Sequence, residues 1–449
     1  MKLASAKVHF IGVGGIGMCG LAELLSNMGA QVTGSDVSDG ANTQRLREIG
    51  VNVVIGHSSE NIGDAEVVVY SSAVKPSNIE FQAARLKKVP LIPRAEALAE
   101  IMRLKRGLAV AGTHGKTTTT SLAASVFLAG HLDPTIVVGG RLDIIKSTAQ
   151  LGGGEWIVAE ADESDGSFTR LSPEVVIVTN IDNDHLDHYG DFLQLQKAFL
   201  EFASRVPFYG LAIVCGDDPI VRKVFSEYSK RVIFYGYNVE NDVILNAVGD
   251  GRYQVMMEGQ RVADFVMPMP GRHNALNALA AMLAGREAGV SWEQAKLGVE
   301  TFKGVDRRFQ HKGCVAGVDY YDDYGHHPTE IRAVLTAARE KYPDRRIVVL
   351  FQPHRFSRTA ACWTEFTECF DSADKLFLLD IYPAGENPIE NITAEKLCAE
   401  VKDCACEHVG TLEAAGEQLV SELRAGDVFL TLGAGNVWKV GERLCQAQQ

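Results

Sequence analysis

Seven residues, Gly112-Thr113-His114-Gly115-Lys116-Thr117-Thr118, constrain this chain more than any other stretch. The apolar run Leu108-Ala109-Val110-Ala111 before them reads as a short buried strand. After them, Leu122, Val126 and Phe127 fall at helical spacing and Gly130 marks a stop. A glycine turn feeding a helix aims backbone N–H groups and the positive helix end at one point, where phosphate binds. From such a turn Lys116 reaches terminal phosphates, and the Thr117 hydroxyl can hold magnesium. Gly112 stands only two residues before Gly115, a closer spacing than in the common phosphate loop. A tight turn with a solvated lysine is the plain alternative. The coincidence of strand, helix, lysine and hydroxyl run favours a nucleoside triphosphate site.

The 449 residues exceed what one core holds, and two to four domains are expected. A net charge of -13 argues against a nucleic-acid surface, which needs a basic stripe. No apolar run is long enough for a bilayer, and the first residues lack an apolar signal core, so a cytoplasmic protein is expected. Nine cysteines without a small-scaffold pattern read as reduced thiols. Cys404, Cys406 and His408 alternate as on one strand face, but their spacing suits packed thiols better than a metal site.

Strand and helix patterns alternate along the chain, which predicts parallel sheets covered by helices. A first unit runs from Val8-His9-Phe10-Ile11 to about Arg103, and Arg103-Leu104-Lys105-Arg106-Gly107 reads as a basic linker. The phosphate-loop unit follows, with an irregular strand-rich section from Leu211 to Met267 and a helix from His273. A third α/β unit opens near Lys312. The expected boundaries are residues 1–104, 105–311 and 312–449.

Gly12-Val13-Gly14-Gly15-Ile16-Gly17 is a dinucleotide-type turn, with Asp36 at the end of the next strand. A diphosphate at a helix start explains it, and so does close helix–strand packing alone. NAD is the obvious ligand. A second nucleotide loop at Lys116 makes a hydride enzyme awkward, and a UDP-sugar carries the same diphosphate. Glu160-Ala161-Asp162-Glu163-Ser164-Asp165 puts four carboxylates in six residues after a strand, a composition expected to self-repel without a cation such as magnesium. Asp182-Asn183-Asp184-His185 follows another strand. Its spacing is not tetrahedral, so His185 reads as a ligand of a second cation or a partner of the transferring phosphate. In the third unit, Asp323-Tyr324-Gly325-His326-His327-Pro328 and His354-Arg355-Phe356-Ser357-Arg358-Thr359 each follow a strand. Arginine there suits a carboxylate-bearing substrate.

Taken in order, these motifs resemble the Mur ligases, the ATP-dependent amino-acid ligases of peptidoglycan precursor synthesis, over essentially the full length. The resemblance implies a UDP-sugar-binding Rossmann-like domain, a central P-loop ATPase and a C-terminal Rossmann-like domain that brings the amino acid. It implies that ATP phosphorylates a muramic acid carboxylate and that an amine attacks the acyl phosphate. ATP and Mg2+ are the implied cofactors. UDP-N-acetylmuramate and L-alanine are the implied partners, with no nucleic acid or membrane, in a monomer or weak homodimer. ATP would be held by Gly112, Thr113, His114, Gly115, Lys116, Thr117 and Thr118, with His273 and Asn274 by the adenine and ribose. Thr117, Glu160 and His185 would hold metal, and Gly14, Gly15, Ile16, Gly17, Asp36, His57, Ser71 and Ser72 the UDP moiety. Tyr324, His326 and Arg358 would take the amino acid, and Lys116, Glu160, His185, His326 and Arg358 carry catalysis. Some sister ligases use a carbamylated lysine; here the nearest lysine is Lys197 and Phe199 takes the matching place, so none is expected. The alternatives are a recycling ligase that joins a tripeptide to the same sugar nucleotide, an NAD-dependent dehydrogenase and a non-catalytic nucleotide switch.

Overall fold

The computed structural model describes residues 5–71, 73–142, 145 and 147–447. Three sheets organise the chain. The first is built from β1 (Lys7–Ile11), β2 (Gln31–Asp36), β3 (Asn52–Ile55), β4 (Val67–Tyr70) and β5 (Leu91–Pro93), in the order β3-β2-β1-β4-β5. All its pairings are parallel. Helices α1 (Ile16–Asn27), α2 (Ala41–Glu48), α3 (Ile79–Leu86) and α4 (Arg94–Met102) connect the strands. The strand order reverses between β1 and β4. In an open parallel sheet the crevice at such a reversal, past the carboxyl ends of the strands, is where ligands lie.

The second sheet has ten strands: β6 (Arg106–Ala111), β7 (Thr135–Leu142), β8 (Ser147–Gln150), β9 (Trp156–Glu160), β10 (Val175–Val178), β11 (Leu211–Cys215), β12 (Val232–Gly236), β13 (Val243–Gly249), β14 (Arg252–Met257) and β15 (Gln260–Val266). Their order is β15-β14-β13-β12-β11-β10-β6-β9-β7-β8. β10, β6 and β9 are adjacent and parallel, so the loops after all three open at the same edge. Val175–Val178 is buried at every position, as expected of a strand covered on both faces. Helix α5 (Lys116–Ala129) leaves β6 and is buried from Thr117 to Phe127, walled in by the sheet and the helix Trp292–Glu300.

The first two sheets share one continuous core and form one compact unit with residues 275–303. The hairpin of β7 and β8 makes the join. It packs on α1, where a Cβ on Gly20 would stand 2.6 Å from Thr148 Oγ1. Glu23 on α1 holds Arg45 through a two-pronged pair (3.1 and 2.7 Å) and accepts from Ser147 Oγ at 3.1 Å. The expected basic linker is not free chain. Arg106 already belongs to β6 and pairs with Glu174, while Lys105 donates to the Gly152 carbonyl at 3.0 Å. Those side chains pin the connection to the central sheet.

The second compact unit comprises residues 269–274 and 304–449. Its sheet runs β16 (Gln310–Val315), β17 (Val318–Asp323), β21 (Val428–Leu432), β18 (Ile347–Phe351), β19 (Lys375–Leu379) and β20 (Ala405–Gly410) from edge to edge. Only β16 is antiparallel. All nine cysteines are free. Cys404 and Cys406 pack against the core of this unit, and burial pushes the Cys404 thiol up to about 12. His408 is bonded to Asp380 at 2.8 Å.

Candidate active site

The phosphate loop is held by the end of the neighbouring strand. Gly112 has φ +135°, and a Cβ there would fall 2.0 Å from Thr179 Oγ1, so only glycine lets the loop approach β10 this closely. Thr113 N–H donates to Asn180 O (3.1 Å), His114 N–H to Asn180 Oδ1 (2.8 Å) and Asp182 N–H to Thr113 Oγ1 (2.9 Å). The His114 ring meets Asp182 at 2.9 Å. Gly115 caps α5 at φ +81°, with Asn277 against it. This leaves the free N–H groups at the start of α5 facing the mouth of the loop.

Lys116 Nζ donates to Gly112 O (2.8 Å), Thr113 O (3.1 Å) and Glu163 Oε1 (2.8 Å). Burial works against its charge, but Glu163, Asp162 and Glu160 outweigh burial and raise its pKa. Burial lifts the Glu163 carboxyl to about 7 against the pull of Lys116. Its Oε2 is buried with no hydrogen-bond partner among the described residues. His185 Nε2 lies 3.6 Å from Glu163 Oε1, and His185 sits in the left-handed region at φ 59°. Backbone of that kind is uncommon outside glycine and clusters at functional sites.

The four carboxylates of the acidic segment have separate partners, although the Asp162 charge still bears on Glu163 and helps hold its carboxyl up. Glu160 Oε2 accepts from Gly139 N–H at 2.9 Å. Asp162 accepts from Ser164 N–H and lies 3.7 Å from Arg94. Glu163 turns to Lys116, and Asp165 accepts from Ser167 N–H at 3.0 Å. Thr117, Glu160 and His185 still supply a hydroxyl, a carboxylate and an imidazole around Lys116. Phe199 is fully buried against Phe168, and Lys197 is exposed on the same helix.

In the first sheet, Gly12, Gly14, Gly15, Asp36, His57 and Ser71 line a cavity of about 690 Å³ past the ends of β1 to β4. Asp36 braces the glycine turn, taking Gly14 N–H at 2.8 Å and Ser38 N–H at 3.2 Å. Ile16 and Gly17 line a second cavity of about 280 Å³, and Gly15 and Ser71 line both. Glu160 and Asp162 line that second cavity as well. Ser72 lies outside the described residues. Beneath the first cavity sits Glu80, fully buried and not foreseen from sequence. It accepts from Ser35 Oγ (2.6 Å), Asn61 Nδ2 (2.6 Å) and Ser58 N–H (3.2 Å), and meets His9 (3.2 Å) and His57 (3.3 Å). Burial opposes ionisation there, but His9, Ser35 and Asn61 win and hold the carboxyl at about 2. A depressed folded-state pKa adds stability above the ordinary value of 4.5, lost as pH falls toward 2. Glu80→Gln is therefore expected to be less stable by on the order of 2 kcal/mol at pH 7. The gap from wild type should narrow below pH 4.5 in urea titrations; a gap unchanged at pH 3 contradicts this.

In the second unit, Tyr324, His326 and His354 come together. The Tyr324 and His326 rings lie 5.3 Å apart, the His326 and His354 rings 6.1 Å, and His354 stacks on Tyr382 at 5.4 Å. Arg307 and Arg308 lie over the Tyr324 ring. Burial, then the nearby Arg358 and Arg355, push the His354 imidazole down to about 4, so it is neutral at pH 7. Arg358 thus belongs to the same cluster. Asp323 is buried, accepts from Gly325 N–H (2.6 Å) and Phe309 N–H (2.7 Å), and is raised to about 6 by burial. His273 and Asn274 sit at the start of the helix Arg272–Glu287, where Asn274 Nδ2 donates to Pro270 O at 2.7 Å. Burial and Arg308 hold His273 down at about 4.

Family models match in the order of these sheets: the Mur ligase family, catalytic domain, over residues 7–106, the Mur ligase middle domain over 110–285, and the Mur ligase, glutamate ligase domain over 307–435. The chain belongs to the Mur ligase family. This Mur ligase is 57% identical over 447 residues to a UDP-N-acetylmuramate--L-alanine ligase of Bdellovibrio bacteriovorus, covering 98% of each chain. It is 48% identical to a protein of the same name from Geobacter sulfurreducens, covering 97% of this chain and 96% of that one. Among solved structures it resembles the UDP-N-acetylmuramate-alanine ligase of Thermotoga maritima, with a TM-score of 0.82, 28% identity and 98% coverage of each chain. The fold extends to a murein peptide ligase of Psychrobacter arcticus, with a TM-score of 0.74, 22% identity and 99% coverage of each. Among the described residues of this Mur ligase, no helix is long and apolar enough to cross a membrane.

Proposed function

We propose that this Mur ligase joins L-alanine to the carboxylate of UDP-N-acetylmuramate, using ATP, in the cytoplasm. The observation that carries the reading is the 57% identity over nearly the whole chain to a ligase of that name. Two cavities that share Gly15 and Ser71, one at the glycine turn of the first sheet and one lined by Glu160, support it. The work divides among residues 1–104 for the sugar nucleotide, 105–311 for ATP and 312–449 for the amino acid.

A carboxylate is a poor acylating agent and must first gain a leaving group. Its oxygen attacks the γ-phosphorus of ATP, the β,γ-bridging bond breaks, and ADP departs, leaving an acyl phosphate. The N–H groups at the start of α5 and Lys116 hold the phosphates and offset the charge that spreads over the transferring group. For Lys116 to do so it must give up at least one of its three present acceptors. Magnesium fits the donors here: Thr117 and Glu160 offer hard oxygens and His185 an imidazole, beside a buried carboxylate oxygen that lacks a partner. Bound there, the ion neutralises phosphate charge. Arg358 grips the alanine carboxylate, with Tyr324 and His326 beside it. The free amine then attacks the acyl carbon, and the tetrahedral adduct expels phosphate and loses a proton to give the amide.

Calorimetry of the whole protein tests the sugar-nucleotide assignment. UDP-N-acetylmuramate is expected to bind with one site per chain, and NAD not to bind. Tight NAD binding without UDP-N-acetylmuramate binding would restore the dehydrogenase alternative.

A further inference from the structure

Glu80 does not line the first-sheet cavity; His57 does, and its ring reaches back to Glu80. Nδ1 is turned inward, 3.3 Å from Glu80 Oε1 and 3.2 Å from Ser35 Oγ. Among the described residues, the polar contacts of this ring engage Nδ1 and none engages Nε2. His57 keeps 20% of its side chain exposed, so the Nε2 edge is the one left to a ligand.

The proton of this ring has one place to go. Burial opposes ionisation of Glu80, but His9, Ser35 and Asn61 hold it ionised, and a carboxylate only accepts. Ser35 spends its hydroxyl proton on Glu80 Oε2 at 2.6 Å, so its oxygen also faces His57 as an acceptor. Two acceptors at Nδ1 place the proton of the neutral ring there and leave a lone pair on Nε2. The carboxylate is held against rotation. Asn61 Nδ2 and Ser58 N–H grip Oε1, while Ser35 and His9 Nε2 grip Oε2. His9 is anchored in turn by Thr33 Oγ1 at 2.8 Å.

The muramic acid carboxylate has to reach the Glu160 side, in the cavity that shares Gly15 and Ser71 with this one. The nucleoside then runs the other way from the glycine turn, across β2 toward the end of β3, where His57 stands. β3 is two strands from β1, about 10 Å at the usual strand spacing, which spans a ribose and reaches the base. Uracil carries an N–H at N3, where cytosine carries a lone pair. An acceptor at Nε2 pairs with the first and repels the second.

We propose that Glu80 is a positioning residue that selects the base: by keeping the His57 proton on Nδ1, it makes Nε2 an acceptor for the uracil N3–H. The assignment rests on the reading of UDP-N-acetylmuramate as substrate.

Calorimetry with UDP and CDP on the wild type, Glu80→Gln and Thr33→Val tests it, together with nitrogen-15 NMR of the His57 ring at pH 8. The wild type should bind UDP at least about tenfold tighter than CDP, and its neutral His57 should carry the proton on Nδ1. In Glu80→Gln an amide can donate to Nδ1 and the Ser35 hydroxyl is free to do the same, so the proton gains access to Nε2. UDP should then weaken by about tenfold and CDP much less, and the Michaelis constant for the sugar nucleotide should rise with the loss of UDP affinity. Thr33→Val strips His9 of a partner in the same buried network without touching His57. It should lower the melting temperature and keep the wild-type preference for UDP, which separates loosening of the sheet from loss of the tautomer. Equal weakening of UDP and CDP in Glu80→Gln would overturn the proposal and leave Glu80 as a brace. So would a proton on Nε2 in the wild type, no preference for UDP there, or a preference lost equally in Thr33→Val. Failure of the wild type to bind UDP-N-acetylmuramate would instead sink the substrate reading, while the NMR would still judge the hold of Glu80 on the His57 proton.

Discussion

Lys116→Ala lowers turnover by about a hundredfold or more at saturating ATP, the scale for removing a preorganised cation from a phosphoryl transfer. Lys116 is the only cation bonded to the loop carbonyls of Gly112 and Thr113 among the described residues, and it faces three carboxylates. Its removal strips the transferring group of a fixed positive charge in a buried setting, where such charges act strongly. Binding of UDP-N-acetylmuramate should survive, because the glycine turn and its cavity belong to the first sheet. That survival, read by calorimetry, separates loss of chemistry from loss of fold. Near-normal turnover at saturating ATP and magnesium would refute the role given to this loop.

Arg358→Lys raises the Michaelis constant for alanine by about a hundredfold, because lysine keeps the charge but cannot present two parallel N–H donors. Acyl phosphate formation precedes amine attack and should be left largely intact. Positional isotope exchange in ATP, followed with UDP-N-acetylmuramate but without alanine, isolates that first step. Exchange near the wild-type rate, with alanine saturation shifted upward, is the expected pair of results. Loss of exchange with alanine affinity unchanged would move Arg358 to the phosphoryl step.

What sequence made legible was local. A glycine turn needs its glycines, its strand and its helix within a dozen residues, so Gly12 to Gly17 and Gly112 to Thr118 carried their geometry openly. The apolar runs of parallel strands such as Val175–Val178 were readable for the same reason. Partners set by tertiary approach were not. Glu80 carries no local signal, because its donors come from β1, β2 and the loop after β3. Asn277 lies far along the chain from the Gly115 it meets. His354 stood inside a quoted motif without a role until its stacking on Tyr382 appeared. The four carboxylates from Glu160 to Asp165 look alike in sequence, and their separate partners, Gly139, Arg94, Lys116 and Ser167, show only in the fold. The β7–β8 hairpin was not read from the sequence, yet it fastens the first sheet to the second.

The most direct test is phosphate release from ATP by the purified full-length protein with UDP-N-acetylmuramate, comparing L-alanine with the murein tripeptide as amine. Release should require both the sugar nucleotide and L-alanine, with one phosphate formed for each amide, and the tripeptide should give no release above background. Release driven by the tripeptide but not by L-alanine would contradict the account and favour the recycling ligase.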